Sequence, residues 1–311
     1  MAWMRFRKKD IPGGLWQKCP SCKETLYNKD LAENYKVCTK CEHHFPLTAL
    51  ERVAYTLDED SFVEIDSGME SVDALSFIDK TSYEEKLAMN QAKTGHREAM
   101  VFGTGRLHGR ELVFGALEFK FLGGSMGVVV GEKVTRAAEC ALQKKIPLLL
   151  FATSGGARMH EGALSLMQMA KSCAALARLG KAGGLYVSVL AHPTTGGVTA
   201  SWATMADLVL AEPSALIGFA GPRVIQTTIR QELPEGFQTS EFLLKKGQLD
   251  RIVPRPGLVE ELAQIFDYLL DPLDPPYQPP VKDEENTKQP EPAQEAEPAK
   301  GKKAADPARK S

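Results

Sequence analysis

The chain has 311 residues, 43% of them apolar and 25% charged, a make-up that supports one large folded core or two modest ones and excludes disorder along its whole length. Its 38 basic and 40 acidic residues leave a formal net charge of -2, so no global field favours a nucleic-acid partner. No apolar run reaches the roughly 18 to 20 residues that cross a bilayer, and the basic start MAWMRFRKKD is not followed by an apolar stretch; a soluble, non-secreted, cytoplasmic protein is expected.

Residues 1–48 hold four of the six cysteines, as Cys19-x-x-Cys22 and Cys38-x-x-Cys41 with 15 residues between the pairs. The segment has too few apolar residues for a core of its own and needs a staple. Two Cys-x-x-Cys turns each bring two sulfurs to one point, and four thiolates suit a tetrahedral Zn²⁺ better than two disulfides or two separate redox dithiols. A four-thiolate site has no open position, so the zinc is expected to be structural. His43 and His44 are then surplus and expected to face solvent. Lys18, Lys23, Lys36 and Lys40 make this ribbon locally basic, which suits contact with nucleic acid or coenzyme phosphates and equally suits solubility.

Residues 49–270 read as one α/β domain of strands, glycine turns and helices. Val101 to Leu107 and Glu111 to Phe119 predict a hairpin about His108-Gly109. Gly127 to Lys145 has helical periodicity and stops before Pro147, and Leu148 to Ala152 reads as a buried strand. A glycine turn, Ser154-Gly155-Gly156, leads to a second helix over Glu161 to Leu179. Leu185 to Ala191 is a second buried strand, His192 to Gly197 a second glycine turn, and Val198 to Met205 a third helix. A final helix is expected over Leu258 to Leu270. Cys140 and Cys173 fall on apolar helix faces and read as core thiols.

Residues 271–311 contain nine of the 19 prolines, with seven acidic and seven basic residues after Pro280; too little apolar surface is present to offset the entropy of ordering, and a disordered tail is expected.

Chemistry concentrates at the two glycine turns. Paired glycines between a strand and a helix let backbone N–H groups point at a ligand, as in an oxyanion hole, or merely permit a tight turn and close packing. Neither turn is a P-loop or a G-x-G-x-x-G loop. Ser154 and Ser201 lack the G-x-S-x-G elbow of a hydrolase, and no partner acid or base can be named. Anion-stabilising backbone without a triad points to chemistry whose base comes from the substrate or cofactor.

The four-cysteine ribbon, Gly103-Thr104-Gly105, the run Phe119-Lys120-Phe121-Leu122-Gly123-Gly124-Ser125-Met126-Gly127, Gly131-Glu132-Lys133, Ser154-Gly155-Gly156-Ala157-Arg158-Met159, Ser165-Leu166-Met167-Gln168-Met169 and Thr194-Thr195-Gly196-Gly197-Val198 together resemble the carboxyltransferase beta subunits of bacterial acetyl-CoA carboxylase, in order from about Trp16 to Leu270. His160 departs from the family, which more often has Gln there. The resemblance implies a crotonase-like spiral of repeated strand-strand-helix units with active sites shared between alpha and beta subunits. It implies transfer of a carboxyl group from carboxybiotin, on the biotin carboxyl carrier protein, to acetyl-CoA, giving malonyl-CoA, in an assembly of two alpha and two beta subunits that also works with biotin carboxylase. By the same analogy Gly196 and Gly197 hold the biotin ureido oxygen, Gly155 and Gly156 help hold the transferring carboxyl or a substrate carbonyl, and the alpha subunit holds the acetyl-CoA enolate. Arg158 is the candidate for a carboxylate or CoA phosphate, its alternative being a salt bridge that anchors the helix. Two other readings remain: a stand-alone crotonase-like enzyme acting on acyl-CoA, and a nucleic-acid-binding role for the ribbon.

Overall fold

The computed structural model describes residues 15–230, 232–273 and 277, without the side chains of residues 222–224 and 229. Most of the expected tail therefore lies outside the described residues, as do residues 1–14.

The ribbon begins with the antiparallel pair β1 (Trp16–Lys18) and β2 (Thr25–Tyr27), followed by the short α1 (Asn28–Glu33). Its two knuckles repeat one geometry. Lys23 N–H donates to Cys19 O and Glu42 N–H to Cys38 O, with Lys23 and Glu42 both at positive φ. Cys19, Leu26, Leu31, Cys38 and Phe45 form a miniature core.

Helix α2 (Ala49–Thr56) opens the larger domain with a capping box between Thr48 and Glu51. β3 (Val63–Glu64), α3 (Tyr83–Thr94), β4 (Met100–Leu107), β5 (Arg110–Leu117), α4 (Val128–Lys144), β6 (Leu148–Ser154), α5 (Gly162–Lys181) and β7 (Tyr186–Thr195) follow. Then come α6 (Gly196–Thr199), β8 (Leu208–Ala211), β9 (Ile217–Gly218), α7 (Pro222–Ile229), α8 (Ser240–Lys245), β10 (Arg251–Ile252) and α9 (Leu258–Leu269). The main sheet runs β10-β8-β7-β6-β5-β4-β3, with β9 beside β7. Neighbours from β10 to β5 are parallel, and β5-β4 and β4-β3 antiparallel. The expected hairpin is present, its His108-Gly109 loop having both residues at positive φ, the conformation that matches strand twist in two-residue turns.

Alternation explains why the central strands read as unbroken apolar runs: both faces are covered. Leu148, Leu150 and Ala152 pack under α4 and α5 with Val134, Ala138 and Leu176, while Leu149 and Phe151 face α9 with Leu262 and Phe266. At the C-terminal ends of the parallel strands a second, shallow layer builds up. Met126 bridges Ala157, Ser154 pairs with Thr194, and Thr194 and Thr195 pair with Ile217 and Gly218. Each repeat thus rests on the one before, which gives the expected spiral.

One sequence expectation changes. The helix over Val198 to Met205 is only α6 followed by a 3-10 turn at Trp202–Thr204, because Ser201 Oγ donates back to Gly197 O and Thr199 Oγ1 to Thr194 O, hydroxyl bonds that compete with helix continuation. Past Leu270, Arg110 donates to Asp271 O and the Tyr277 ring stacks on His108 at 4.6 Å.

Candidate functional site

The four ribbon sulfurs lie within 4.8 Å of one another, with Cys19 and Cys41 at 3.7 Å and Cys22 and Cys38 at 3.8 Å. A tetrahedron with Zn–S bonds of about 2.3 Å has sulfur–sulfur edges of about 3.8 Å, so these residues fit one zinc ion. The neighbouring histidines do not face solvent as expected. His43 packs edge-on against Phe45 at 5.2 Å, and the His44 side chain is buried with Nδ1 3.6 Å from Glu212 Oε2. Of the four ribbon lysines, Lys36 pairs with Glu51 and Lys23 donates to Pro20 O; Lys18, Lys23 and Lys40 are exposed.

The ribbon is fastened to the large domain by buried charge. Arg255 forks onto Glu212, Nε to Oε1 at 3.0 Å and Nη2 to Oε2 at 2.8 Å, and its Nη1 donates to Tyr35 O and Phe45 O of the ribbon. Arg52 donates to the same carboxylate at 3.0 Å. Burial opposes charge on Glu212, but the two guanidinium groups hold its carboxyl well below the ordinary range.

The two glycine turns, 40 residues apart in sequence, meet face to face. A Cβ on Gly156 would lie 3.1 Å from the Gly196 Cα, and one on Gly196 would lie 2.9 Å from the Gly156 Cα. Both are also at positive φ, +114° and +63°, so bare backbone is required at the contact. The turns do not, however, offer four donors. Gly155 N–H donates to Gly123 O, Gly196 N–H to Phe219 O and Gly156 N–H to Ser154 Oγ. Of the remaining main-chain donors, Ala157 N–H and Gly197 N–H enter none of the turn, loop or cap bonds of the described residues, and a methyl group on Gly197 would sit 3.6 Å from Ala157 N. The geometry is thus a two-donor cradle, one N–H from each turn. Ala157 escapes sequence reasoning because its donor is backbone; its only signal is its place directly after the glycine pair.

Arg158 is found in a buried ion pair, which was one of its two alternatives. Its side chain is 0% exposed, and Nη2 and Nη1 grip Glu98 at 2.6 and 2.9 Å. Burial opposes the Glu98 charge, yet Arg158 keeps that carboxyl below its usual range. Reaching a coenzyme phosphate would require breaking this pair. Glu98, Ser71, Tyr83 and Glu161, which surround the guanidinium, belong to no motif and carry no signal in the sequence.

The hydroxyls of Ser154 and Ser201 are buried and donate to Gly124 O and Gly197 O, so neither is a free nucleophile. Cys140 and Cys173 are partly buried, and burial raises both thiols above their usual range. His160 stacks on Tyr83 at 5.0 Å; burial first, then the Lys86 charge, lowers its pKa. Beside it lies a mostly apolar cleft of about 440 Å³ between the start of α4, α5 and residues 70–75. Leu166 and Met167 on α5 are 58% and 64% exposed. No helix of the described residues is long and apolar enough to cross a membrane.

Comparison with known proteins agrees along nearly the whole chain. Residues 46–309 match the carboxyl transferase domain, and residues 16–41 the acetyl-CoA carboxylase zinc finger domain. The acetyl-coenzyme A carboxylase carboxyl transferase subunit beta of Desulforamulus reducens is 57% identical over 259 residues, covering 83% of this chain and 89% of that protein. The protein of the same name from Pelotomaculum thermopropionicum is 54% identical over 259 residues, covering 83% and 90%. Among solved structures, transcarboxylase 12S with methylmalonyl-coenzyme A bound aligns with a TM-score of 0.61 at 26% identity, over 71% of this chain but only 40% of that one. A Pseudomonas malonate decarboxylase hetero-dimer aligns at 0.56 and 26%, over 72% of this chain and 88% of its own.

Proposed function

The chain belongs to the carboxyl transferase family, among the beta subunits of acetyl-CoA carboxylase, and from that premise we propose that the cradle of Ala157 and Gly197 N–H groups holds an oxyanion of the carboxyl transfer that makes malonyl-CoA. In that reaction negative charge gathers on the biotin ureido oxygen as the carboxyl group leaves N1′, and on the thioester oxygen as acetyl-CoA loses its methyl proton to biotin N1′. Two fixed N–H donors favour such an oxygen most when its charge is largest, which accelerates the step rather than merely tightening binding. No side chain at the junction is placed as a base, consistent with a proton that passes between substrates. The ribbon zinc is structural, its four positions taken by Cys19, Cys22, Cys38 and Cys41.

With one cradle for two oxyanions, this chain serves one oxygen and a partner alpha subunit the other; the expectation from resemblance gives this chain the ureido oxygen. The exposed apolar residues along α5, Leu166 and Met167, support burial against that partner. An assembly of two alpha and two beta subunits in the cytoplasm, supplied with carboxybiotin by the carrier protein that biotin carboxylase loads, completes the proposal.

The observation that carries it is the meeting of the two glycine turns with one free N–H on each. The test is reconstitution with a candidate alpha subunit, following malonyl-CoA-dependent carboxylation of free biotin. Transfer should require both subunits. A fall in Gly197→Ala turnover with a raised KM for biotin places the ureido oxygen in the cradle; a raised KM for malonyl-CoA places the thioester oxygen there. Unchanged turnover in that variant overturns the cradle.

A further inference from the structure

We infer that Arg158 is a positioning residue for carboxyl transfer: it binds no substrate, and instead locks the turn that carries the Ala157 N–H to the loops on either side of it. The inference rests on the functional reading above.

Every guanidinium nitrogen is occupied. Nε donates to Ser125 Oγ at 3.1 Å; Nη2 donates to Glu98 Oε1 and to Ser125 O at 2.7 Å. Nη1 faces Glu98 Oε2, Tyr83 Oη at 3.1 Å, Ser71 Oγ at 3.2 Å and Glu161 Oε1 at 3.5 Å. The guanidinium carbon lies 5.8 Å from the centre of the Phe121 ring. Five N–H donors in a rigid fork are what this arrangement uses; a lysine supplies the charge but not the fork.

What those bonds join gives them a catalytic consequence. Residues 123–126 form the backing of the cradle: Gly123 O accepts from Gly155 N–H, Gly124 O from Ser154 Oγ–H, and Met126 exchanges main-chain bonds with Gly156 O and Arg158 N. Arg158 grips this backing at Ser125 Oγ and Ser125 O. Glu161, which Tyr83 Oη also contacts at 2.6 Å, accepts from Val128 N–H at the start of α4. Ser71 brings in the 70–75 segment through Glu98 at 2.5 Å. Three loops from distant parts of the sequence therefore meet on one buried cation adjacent to the donor residue. A donor held by such a frame stays aimed at a developing charge, and displacement of a catalytic group by about 1 Å can cost on the order of a hundredfold in rate.

The test uses the full chain reconstituted with its alpha partner and reads both kinetics and amide hydrogen exchange in three variants, Arg158→Lys, Tyr83→Phe and Ser125→Ala. Arg158→Lys should lower kcat roughly ten- to a hundredfold while KM for malonyl-CoA changes less than about threefold. Amides of residues 124–126 and 156–161 should exchange roughly tenfold faster or more, with those of β4, β5 and the ribbon unchanged. The two hydroxyl deletions should show the same pattern at smaller size, and they decide the matter if Arg158→Lys does not fold. Unchanged local exchange and kcat, or faster exchange spread evenly over the sheet, overturns the inference. A rise in KM for malonyl-CoA at constant kcat overturns it too, since it would mean that Arg158 binds the coenzyme. Faster local exchange in variants of an assembly whose wild type transfers no carboxyl group removes the functional reading alone.

Discussion

Arg255→Ala tests whether buried charge fastens the ribbon to the large domain. The Arg255 guanidinium is 4% exposed and makes two bonds to Glu212 and two close ones to ribbon carbonyls. Removing one partner of a buried ion pair costs about 3–5 kcal/mol because the other charge is left uncompensated. Arg52 still neutralises part of the Glu212 charge, so the lower end applies, about 3 kcal/mol. At roughly 2–4 °C per kcal/mol for a chain of this size, melting should fall by about 6–12 °C. Thermal denaturation of the reconstituted assembly, with zinc content measured alongside, checks this. Zinc should stay at one per chain, since no ligand is touched. Arg255→Lys should recover less than half of the loss because a lysine cannot bridge the carboxylate and the ribbon carbonyls together. A loss below about 1 kcal/mol, or full recovery with Lys, refutes the latch. The pH dependence has a fixed sign: Glu212 is held well below its usual range, so the contribution is present above the unfolded value near 4.3 and disappears as pH falls through the lower folded value. The gap between wild type and Arg255→Ala should therefore close only in acid.

Gly197→Ala keeps the N–H but places a methyl 3.1 Å from Met169 Sδ, 3.3 Å from Ala157 Cβ and 3.6 Å from Ala157 N, so the two turns must part and both donors shift; transfer should fall by about two orders of magnitude, as for a catalytic group displaced by about 1 Å, and steady-state assay with zinc and assembly checked gives the answer. Cys38→Ser, or a chelator, should abolish zinc binding and unfold the ribbon while the main-sheet amides stay protected, as the two larger apolar clusters contain no ribbon residue; hydrogen exchange with metal analysis distinguishes this from global unfolding. His160, whose pKa is lowered by burial and then by Lys86, binds a proton more readily unfolded than folded, so it costs stability as pH falls below about 6.5. His160→Gln should flatten the stability profile between roughly pH 7 and 5 and leave turnover at neutral pH unaltered.

Legibility followed the kind of interaction. Main-sheet strands were legible because apolar runs bounded by glycine and proline have few alternatives, and the zinc ligands because ligand spacing is itself the geometry of a knuckle. The end of α6 was not: it depends on hydroxyl bonds from Thr199 and Ser201 to turn carbonyls, which residue type alone does not signal. The histidines beside Cys41 were misread for a similar reason. The surroundings of His44 are set by Glu212, about 170 positions away in the chain, which follows an apolar strand and gives no sign of the two arginines that will enclose it.

The cradle marks the boundary most sharply. Paired glycines said where backbone could approach backbone, and the turns do touch through Gly156 and Gly196. Yet three of the four glycine N–H groups are spent holding the turns in place, and the donors left over belong to Gly197 and to an alanine. The two demands on such a site are opposed: a donor is useful only if unsatisfied, while the segment that carries it must be satisfied everywhere else to stay rigid. The glycines meet the second demand by permitting close approach, Arg158 meets it by gripping three loops, and what remains for chemistry is the N–H that neither device consumes.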